Sequence, residues 1–323
     1  MGKEGEEIRP LFGFSANNIT VSIKCRRVRF MDFFSQIING LGIGSIYALV
    51  ALGYSMVYGI VQLINFAHGD IIMVGAYVVF VILVMMNLPL WLAVLGSIIF
   101  CGLAGVVIER VAYHRLLVRD APRISLLITA IGVSIFLQNL FQLLFGSDAK
   151  SMPKMFSFSP LQIGELQITS STVLNILVSV VMMAGLQLMV SKMKIGKAMR
   201  ATSEDAGAAK LMGINTNTTI AFTFGIGSAL ASAGAVLYCN TYPQIKPIMG
   251  GLLGLKAFVA AVLGGIGSIP GAMLGGYLLG VAESLTNAYI SSNLTDAVVF
   301  GILIIVLLVK PAGLLGKNTR EKV

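Results

Sequence analysis

Asn65, His68 and Asp70 lie in one short run, Asn65-Phe66-Ala67-His68-Gly69-Asp70, between two apolar stretches. An amide, an imidazole and a carboxylate so close together could line a polar constriction or a helix break beside a pathway. Ionisable groups inside a membrane are costly and tend to mark function. The plain alternative is a capping turn at the membrane surface. In that reading Asp70 complements the positive end of a helix and His68 bonds to backbone. A second residue of this kind is Glu283, in Ala282-Glu283-Ser284. A lone charge in an apolar segment must be neutral, paired or facing water, so structural pairing and lining of a route both stay open. A third stretch runs from Lys197 to Asn215 and holds Glu204, Asp205, Ala208, Ala209 and Gly213. Its alanines favour helix and Gly213 suits a helix C-terminus. A short helix of this type outside lipid fits the groove of a partner protein; a solvated amphipathic connector is the bland reading.

These residues sit in an unusually greasy chain. Of 323 residues, 56% are hydrophobic and only 11% charged, and the mean hydropathy is +0.88. Soluble domains carry about 25% charged residues. A soluble enzyme, a nucleic-acid-binding domain and a disordered protein are thereby excluded, and the fold class is all-α: a polytopic helical membrane protein. Cys25, Cys101 and Cys239 are far apart, and there are two histidines, so neither a disulfide framework nor a metal cluster is indicated. No phosphate-binding loop of the G-x-x-x-x-G-K-[ST] type occurs.

A bilayer core of about 30 Å requires about 20 apolar residues per helix. Candidate spans lie near 36–60, 69–87, 90–113, 124–146, 171–191, 218–239, 252–266, 270–288 and 296–310, which predicts about eight or nine. The 252–266 segment is short and runs into Gly264-Gly265-Ile266-Gly267-Ser268-Ile269-Pro270-Gly271, which predicts a broken or re-entrant helix. Residues 1–30 read as a polar N-terminal extension, disordered or foreign to the natural protein, and 31–323 as the membrane domain. Gly40/Gly44 and Gly271/Gly275 are G-x-x-x-G pairs, suited to close helix packing in lipid.

Basic residues sort the loops. Arg110, Arg115, Arg119 and Arg123, then Lys192, Lys194, Lys197, Arg200 and Lys210, then Lys310, Lys317, Arg320 and Lys322 mark three inner segments. The 147–170 and 240–250 loops fall outside. Counting back through three spans puts the N-terminus outside, against the basic cluster Lys24, Arg26, Arg27 and Arg29. Either an extra pass lies near 61–76 or the extension is not native. Gly42-Ile43-Gly44-Ser45 recurs as Gly225-Ile226-Gly227-Ser228, each copy followed by an apolar stretch and a glycine turn, at Gly69 and at Gly250-Gly251. Duplicated halves are common in transporters, with the substrate route at their interface.

The Asn65–Asp70 block, Gly75-Ala76-Tyr77 and Ala282-Glu283-Ser284 resemble the permease of the high-affinity branched-chain amino-acid ABC importer, from about Met31 to the C-terminus. The Asn-Phe-Ala-His-Gly block is shared with close urea and amide relatives of that family. The 197–215 stretch is similar to the coupling loop of import permeases, Glu-Ala-Ala, three residues, then Gly: Ala208, Ala209 and Gly213 match, and Gly207 stands where the Glu would be. The resemblance implies a multi-pass protein of the cell inner membrane, not itself an enzyme and without a cofactor of its own. It implies a homologous second permease, two ATP-binding cassette subunits that carry ATP-Mg, and an extracytoplasmic amino-acid-binding protein. It implies a translocation pathway past Asn65, His68, Asp70 and Glu283. It also implies a coupling helix at about 203–213, with Glu204, Asp205, Ala208, Ala209 and Gly213 in the ATPase contact.

Two alternatives share these residues: a permease of the same build moving urea, amides or other amino acids, and an ion-coupled transporter in which Asp70, Glu283 and His68 relay protons. An intramembrane enzyme would need a nucleophile with its base or a metal cluster, and no H-E-x-x-H or G-x-S-x-G pattern occurs.

Overall fold

A computed structural model describes residues 16–316 apart from Leu63, Asp120, Ser157, Phe158, Gly164 and Glu165, with side-chain surroundings from Asp32 onward. In chain order come α1 (Ala16–Val61), α2 (Ala67–Phe80), which continues through a π-helical turn at Val81–Met85, and α3 (Leu90–Ile108), which passes through a second π turn at Glu109–Tyr113 into α4 (His114–Val118). Next are α5 (Arg123–Phe145), three short strands β1 (Lys150–Ser151), β2 (Leu161–Ile163) and β3 (Leu166–Ile168), then α6 (Ser170–Lys192), α7 (Lys194–Glu204) and α8 (Ala206–Leu211). The chain ends with α9 (Thr216–Thr241), β4 (Gln244–Ile245), α10 (Met249–Gly264), α11 (Ile269–Tyr289) and α12 (Thr295–Val309).

Among the described residues seven stretches are long and apolar enough to cross a membrane: Asp32–Val61, Ala67–Met85, Leu90–Val118, Arg123–Phe145, Ser170–Lys192, Thr216–Thr241 and Ser292–Val309. The predicted broken helix is present. Met249–Gly264 and Ile269–Tyr289 meet at a bend of 119° and make up to an eighth span. Gly265 and Gly267 adopt φ of +105° and +89° there, a left-handed backbone that glycine takes without steric cost. The freed backbone groups find partners: Leu314 and Leu315 N–H donate to the Leu263 and Gly264 carbonyls, both at 2.9 Å, and Gly267 N–H donates to Ser55 Oγ at 2.9 Å. Ser268 caps α11 through Gly271 N–H. Irregular backbone at membrane depth survives when it is enclosed by protein in this way.

The expected inner loop at 110–123 is shorter than its charges suggested. Helix continues to Val118, because Glu109 turns inward and pairs with Arg110 at 3.6 Å and His114 at 3.5 Å. Residues 1–15 and 317–323 lie outside the described residues. From Ala16 the chain is helical and continuous with the first span, so part of the stretch read as a separate extension belongs to α1.

The centre is α1, α2 and α9, whose most apolar windows are 61–72% buried, against 11–22% for those of α3, α5, α6 and α12. In lipid, apolar contact alone does not hold helices together; close backbone packing and polar contacts do. Accordingly α1 and α11 run antiparallel along a small-residue seam. A methyl on Gly44 would come within 2.7 Å of the Gly276 carbonyl. Ser284 Oγ donates to the Gln36 carbonyl at 2.8 Å. Phe33 meets Tyr289 at one end, 6.3 Å between ring centroids. Ser97 of α3 links α2 and α9, donating to the Gly75 carbonyl at 3.0 Å and lying 2.6 Å from Ser232 Oγ.

The stretch at 61–76 holds a break and the first turns of α2, with no extra crossing. With the three basic segments inside, Asp32 and Tyr289 lie at the outer end and Val61 and Ile269 at the inner end. The outer loops are tied by the β1–β4 ladder, Lys150 opposite Ile245 and Ser151 opposite Gln244. This sidedness predicts that, in intact cells, a membrane-impermeant maleimide labels Asn293→Cys. Lys210→Cys should be labelled only after permeabilisation. The opposite pattern would invert the topology.

Candidate functional site

Asn65, His68 and Asp70 come together in one buried turn that begins α2, each at most 2% exposed. Asn65 Oδ1 accepts from the Ala67 N–H at 3.1 Å and from the Tyr113 hydroxyl at 2.8 Å. One amide thus caps the helix start and fixes it to the end of α3. His68 packs edge-on to Tyr54, 4.7 Å between ring centroids, against Gly53 of α1 and Gly227 of α9. Asp70 Oδ1 accepts from Gln138 Nε2 of α5 at 2.9 Å, while Asp70 Oδ2 and His68 Nε2 are buried without partners. Asp70 stands in the first turn of α2, where the helix dipole favours a carboxylate. The turn is not at the membrane surface. His68 meets Gly53 roughly two helical turns before α1 ends at Val61, so α2 starts inside the membrane.

The second glycine turn meets the first. A methyl on Gly69 would come within 2.6 Å of the Gly250 carbonyl and 2.8 Å of Gly254 Cα. A methyl on Gly250 would come within 2.6 Å of the Gly69 carbonyl. The starts of α2 and α10 therefore cross with no side chain between them. The two Gly-Ile-Gly-Ser copies lie on α1 and α9, which run in opposite directions, and each leads to one arm of this crossing.

Glu283 lies apart, on the outer half of α11, and it is paired. Lys256 Nζ, on α10 and nearly buried, reaches Glu283 Oε1 and Asp296 Oδ1 of α12, each at 2.8 Å. Glu283 Oε2 is buried with no donor in hydrogen-bond geometry. The Tyr47 hydroxyl lies against the same carboxylate, and Tyr238 and Tyr242 lie near enough to feel its charge. Tyr47 and Tyr54 lie about two turns, roughly 10 Å, apart on α1, so α1 is the wall common to both polar clusters.

The inner loop is two helices, not one. Helix α7 buries Gly196, Met199 and Thr202 against α6 and α1. The chain then breaks at Asp205, whose Oδ1 accepts from the Gly207 and Ala208 N–H groups at 2.8 and 2.9 Å. This is an N-cap. Glu204 is the last residue of α7 and is exposed. Of the two alanines Ala209 packs inward and Ala208 faces out. Gly213 closes the turn at φ +83°, with its N–H on the Lys210 carbonyl and the Ile214 N–H on the Ala209 carbonyl. Leu211 and Met212 are left 90% and 83% exposed.

Sequence reading missed Lys256, Tyr113, Gln138 and Asp296. Lys256 carried a signal, a lone cation in an apolar stretch. The others are ordinary residues made important by partners far along the chain. The Asn65 geometry makes a graded prediction. Tyr113→Phe removes one bond and leaves the cap, at about 1 kcal/mol. Asn65→Ala strands both the Tyr113 hydroxyl and the Ala67 N–H, at about 1–3 kcal/mol each. Thermal unfolding in detergent should rank Asn65→Ala below Tyr113→Phe; the reverse order would contradict the cap.

Comparison with known proteins agrees with this architecture. The family model described as branched-chain amino acid transport system / permease component matches residues 36–308. The chain is 46% identical over 308 residues to the high-affinity branched-chain amino acid transport system permease protein LivH of Salmonella typhimurium, covering 91% of this chain and 99% of that one. It is 47% identical over 303 residues to the corresponding protein BraD of Pseudomonas aeruginosa, covering 90% and 98%. It is 29% identical over 288 residues to a probable LivH of Methanocaldococcus jannaschii, covering 86% and 90%. No solved structure matches. A polytopic helical chain matched over nearly its whole membrane domain belongs to the family of branched-chain amino acid transport system permease components.

Proposed function

We propose that this chain is the membrane permease of an ATP-driven importer for leucine, isoleucine and valine in the cell inner membrane. The observation that carries the coupling is α8: a short, capped helix on the inner side that leaves Leu211 and Met212 bare. A surface of that kind fits a groove on a partner, and the partner is an ATP-binding cassette subunit, one of two, each carrying ATP-Mg. A homologous permease completes the membrane unit, and an extracytoplasmic binding protein delivers the amino acid to the outer loops. The relatives named for branched-chain amino acid transport support the substrate class.

In this reading ATP closes the two cassette subunits and moves α8. Nucleotide must favour one of two conformations, since a ligand that binds both equally shifts nothing. Helix α7 packs on the inner end of α1, beside Ser55, Met56 and Gly59 at the α10–α11 break. The motion therefore enters the centre of the fold there. Asn65, His68 and Asp70 hold the crossing that walls the route, and Glu283 stands at its outer mouth.

The test uses Ala209→Leu and Gly213→Val, the first overfilling a buried position and the second placing a β-branched residue at positive φ. Leucine uptake should fall to near background and the ATPase subunits should be lost on purification. Normal uptake with normal assembly would remove α8 from coupling.

A further inference from the structure

The group around Lys256 is built unlike a simple strut. One buried ammonium is shared by two carboxylates, Glu283 and Asp296, at 2.8 Å each. Ionised, the triad carries one negative charge in excess. A charge held in a poorly solvated site needs a counter-charge or hydrogen bonds. Lys256 meets the Glu283 carboxylate through Oε1 alone; Oε2 is buried beside the Tyr47 hydroxyl, with no second cation on it. Tyr47 lies against this carboxylate, and the paired rings of Tyr238 and Tyr242, 5.0 Å between centroids, lie within reach of its charge; such rings can hold apolar and cationic groups alike. Asp296 is half exposed, so the cluster opens on one side.

Its depth matters as much as its charge. Glu283 lies less than two turns before the outer end of α11 at Tyr289 and Asp296 in the first turn of α12, and Lys256 reaches both from the middle of α10. These groups lie where a solute entering from outside first meets the helices.

We propose that the Lys256–Glu283–Asp296 cluster is an outer-mouth site for the α-ammonium group of the amino-acid substrate. The ammonium pairs with Glu283, Lys256 is freed to meet the substrate carboxylate, and the tyrosines face the aliphatic side chain. A zwitterion taken into the cluster leaves its net charge unchanged. This rests on the reading of the chain as an amino-acid permease and adds to it a chemical selection for the amino group within the membrane subunit.

The experiment uses the complete complex in proteoliposomes with Mg-ATP. Glu283→Gln should lower leucine transport about tenfold to a hundredfold, the worth of a hydrogen bond to a charged group, while the subunits still co-purify. Transport equal to wild type would overturn the proposal. The exchange Lys256→Glu with Glu283→Lys, made together with Asp296→Asn so that the new glutamate meets no like charge, separates a site from a strut. A strut recovers transport when its charges are swapped; an ammonium site does not, because the substrate then meets a lysine. Recovery would overturn the proposal.

If Glu283→Gln does not assemble, the wild-type complex decides the matter. Modification of Glu283 by dicyclohexylcarbodiimide, read by mass spectrometry, should be slowed by leucine and not by 4-methylpentanoate, which lacks the amino group. Equal rates with and without leucine would overturn the proposal. A wild-type complex that moves no leucine defeats the functional reading itself; one that moves leucine while Glu283→Gln matches it defeats only the ammonium site.

Discussion

The fold depends on the crossing of two helix starts inside the membrane. Helices α2 and α10 both begin at depth, and at their beginnings Gly69, Gly250 and Gly254 touch backbone to backbone. A helix start leaves N–H groups unpaired, and lipid offers them nothing. It is stable here because Asn65 caps one N–H and the turn is enclosed by α1, α3, α5, α9 and α10. Any side chain at the three glycines would push the helices apart and open those groups to lipid. The polar residues of the Asn65–Asp70 block follow from this: each satisfies or anchors a helix start that could not otherwise exist at that depth.

The crossing also fixes where the charges go. Lys256 lies just beyond Gly254 on α10, so the contact that seats α10 on α2 aims the lysine at α11 and α12. At the other end α10 stops at Gly264, where the chain after α12 returns to bond its last carbonyls. The Lys256 pairing at mid-helix and the inner break at its end thus belong to one short helix. Helix α1 flanks both, through Tyr47 above and Ser55 below. Helix α7 packs against the inner end of α1, beside the α10–α11 break.

Much of this was legible in the residues. Span positions followed from apolar length, and the break at Gly264–Gly271 followed from glycine and proline density. The glycine turns at Gly69 and Gly250 were visible as echoes of one pattern, but that they touch was not, because contact between distant segments leaves no local spacing. The same holds for Lys256 with Glu283 and Asp296, and for Asn65 with Tyr113. The charge density of the 110–123 stretch suggested a longer loop than exists. Buried Glu109 draws Arg110 and His114 along the helix, so those charges belong to its last turns rather than to a connector. The absence of Glu at position 207 was plain, whereas the capping of α8 by Asp205 required backbone geometry. Family resemblance pointed to the substrate class, which no residue spacing could.

The most direct measurement is the thermal unfolding of the purified protein after Gly254→Ala, compared with Gly132→Ala on α5. A methyl at Gly254 would collide with Gly69 Cα, whereas at Gly132 no neighbouring atom lies within 4 Å. Overpacking of this kind costs about 1–3 kcal/mol. The account predicts a clear fall in Tm and in leucine transport for Gly254→Ala, with Gly132→Ala at wild-type values. Equal melting and equal transport for the two variants would contradict it.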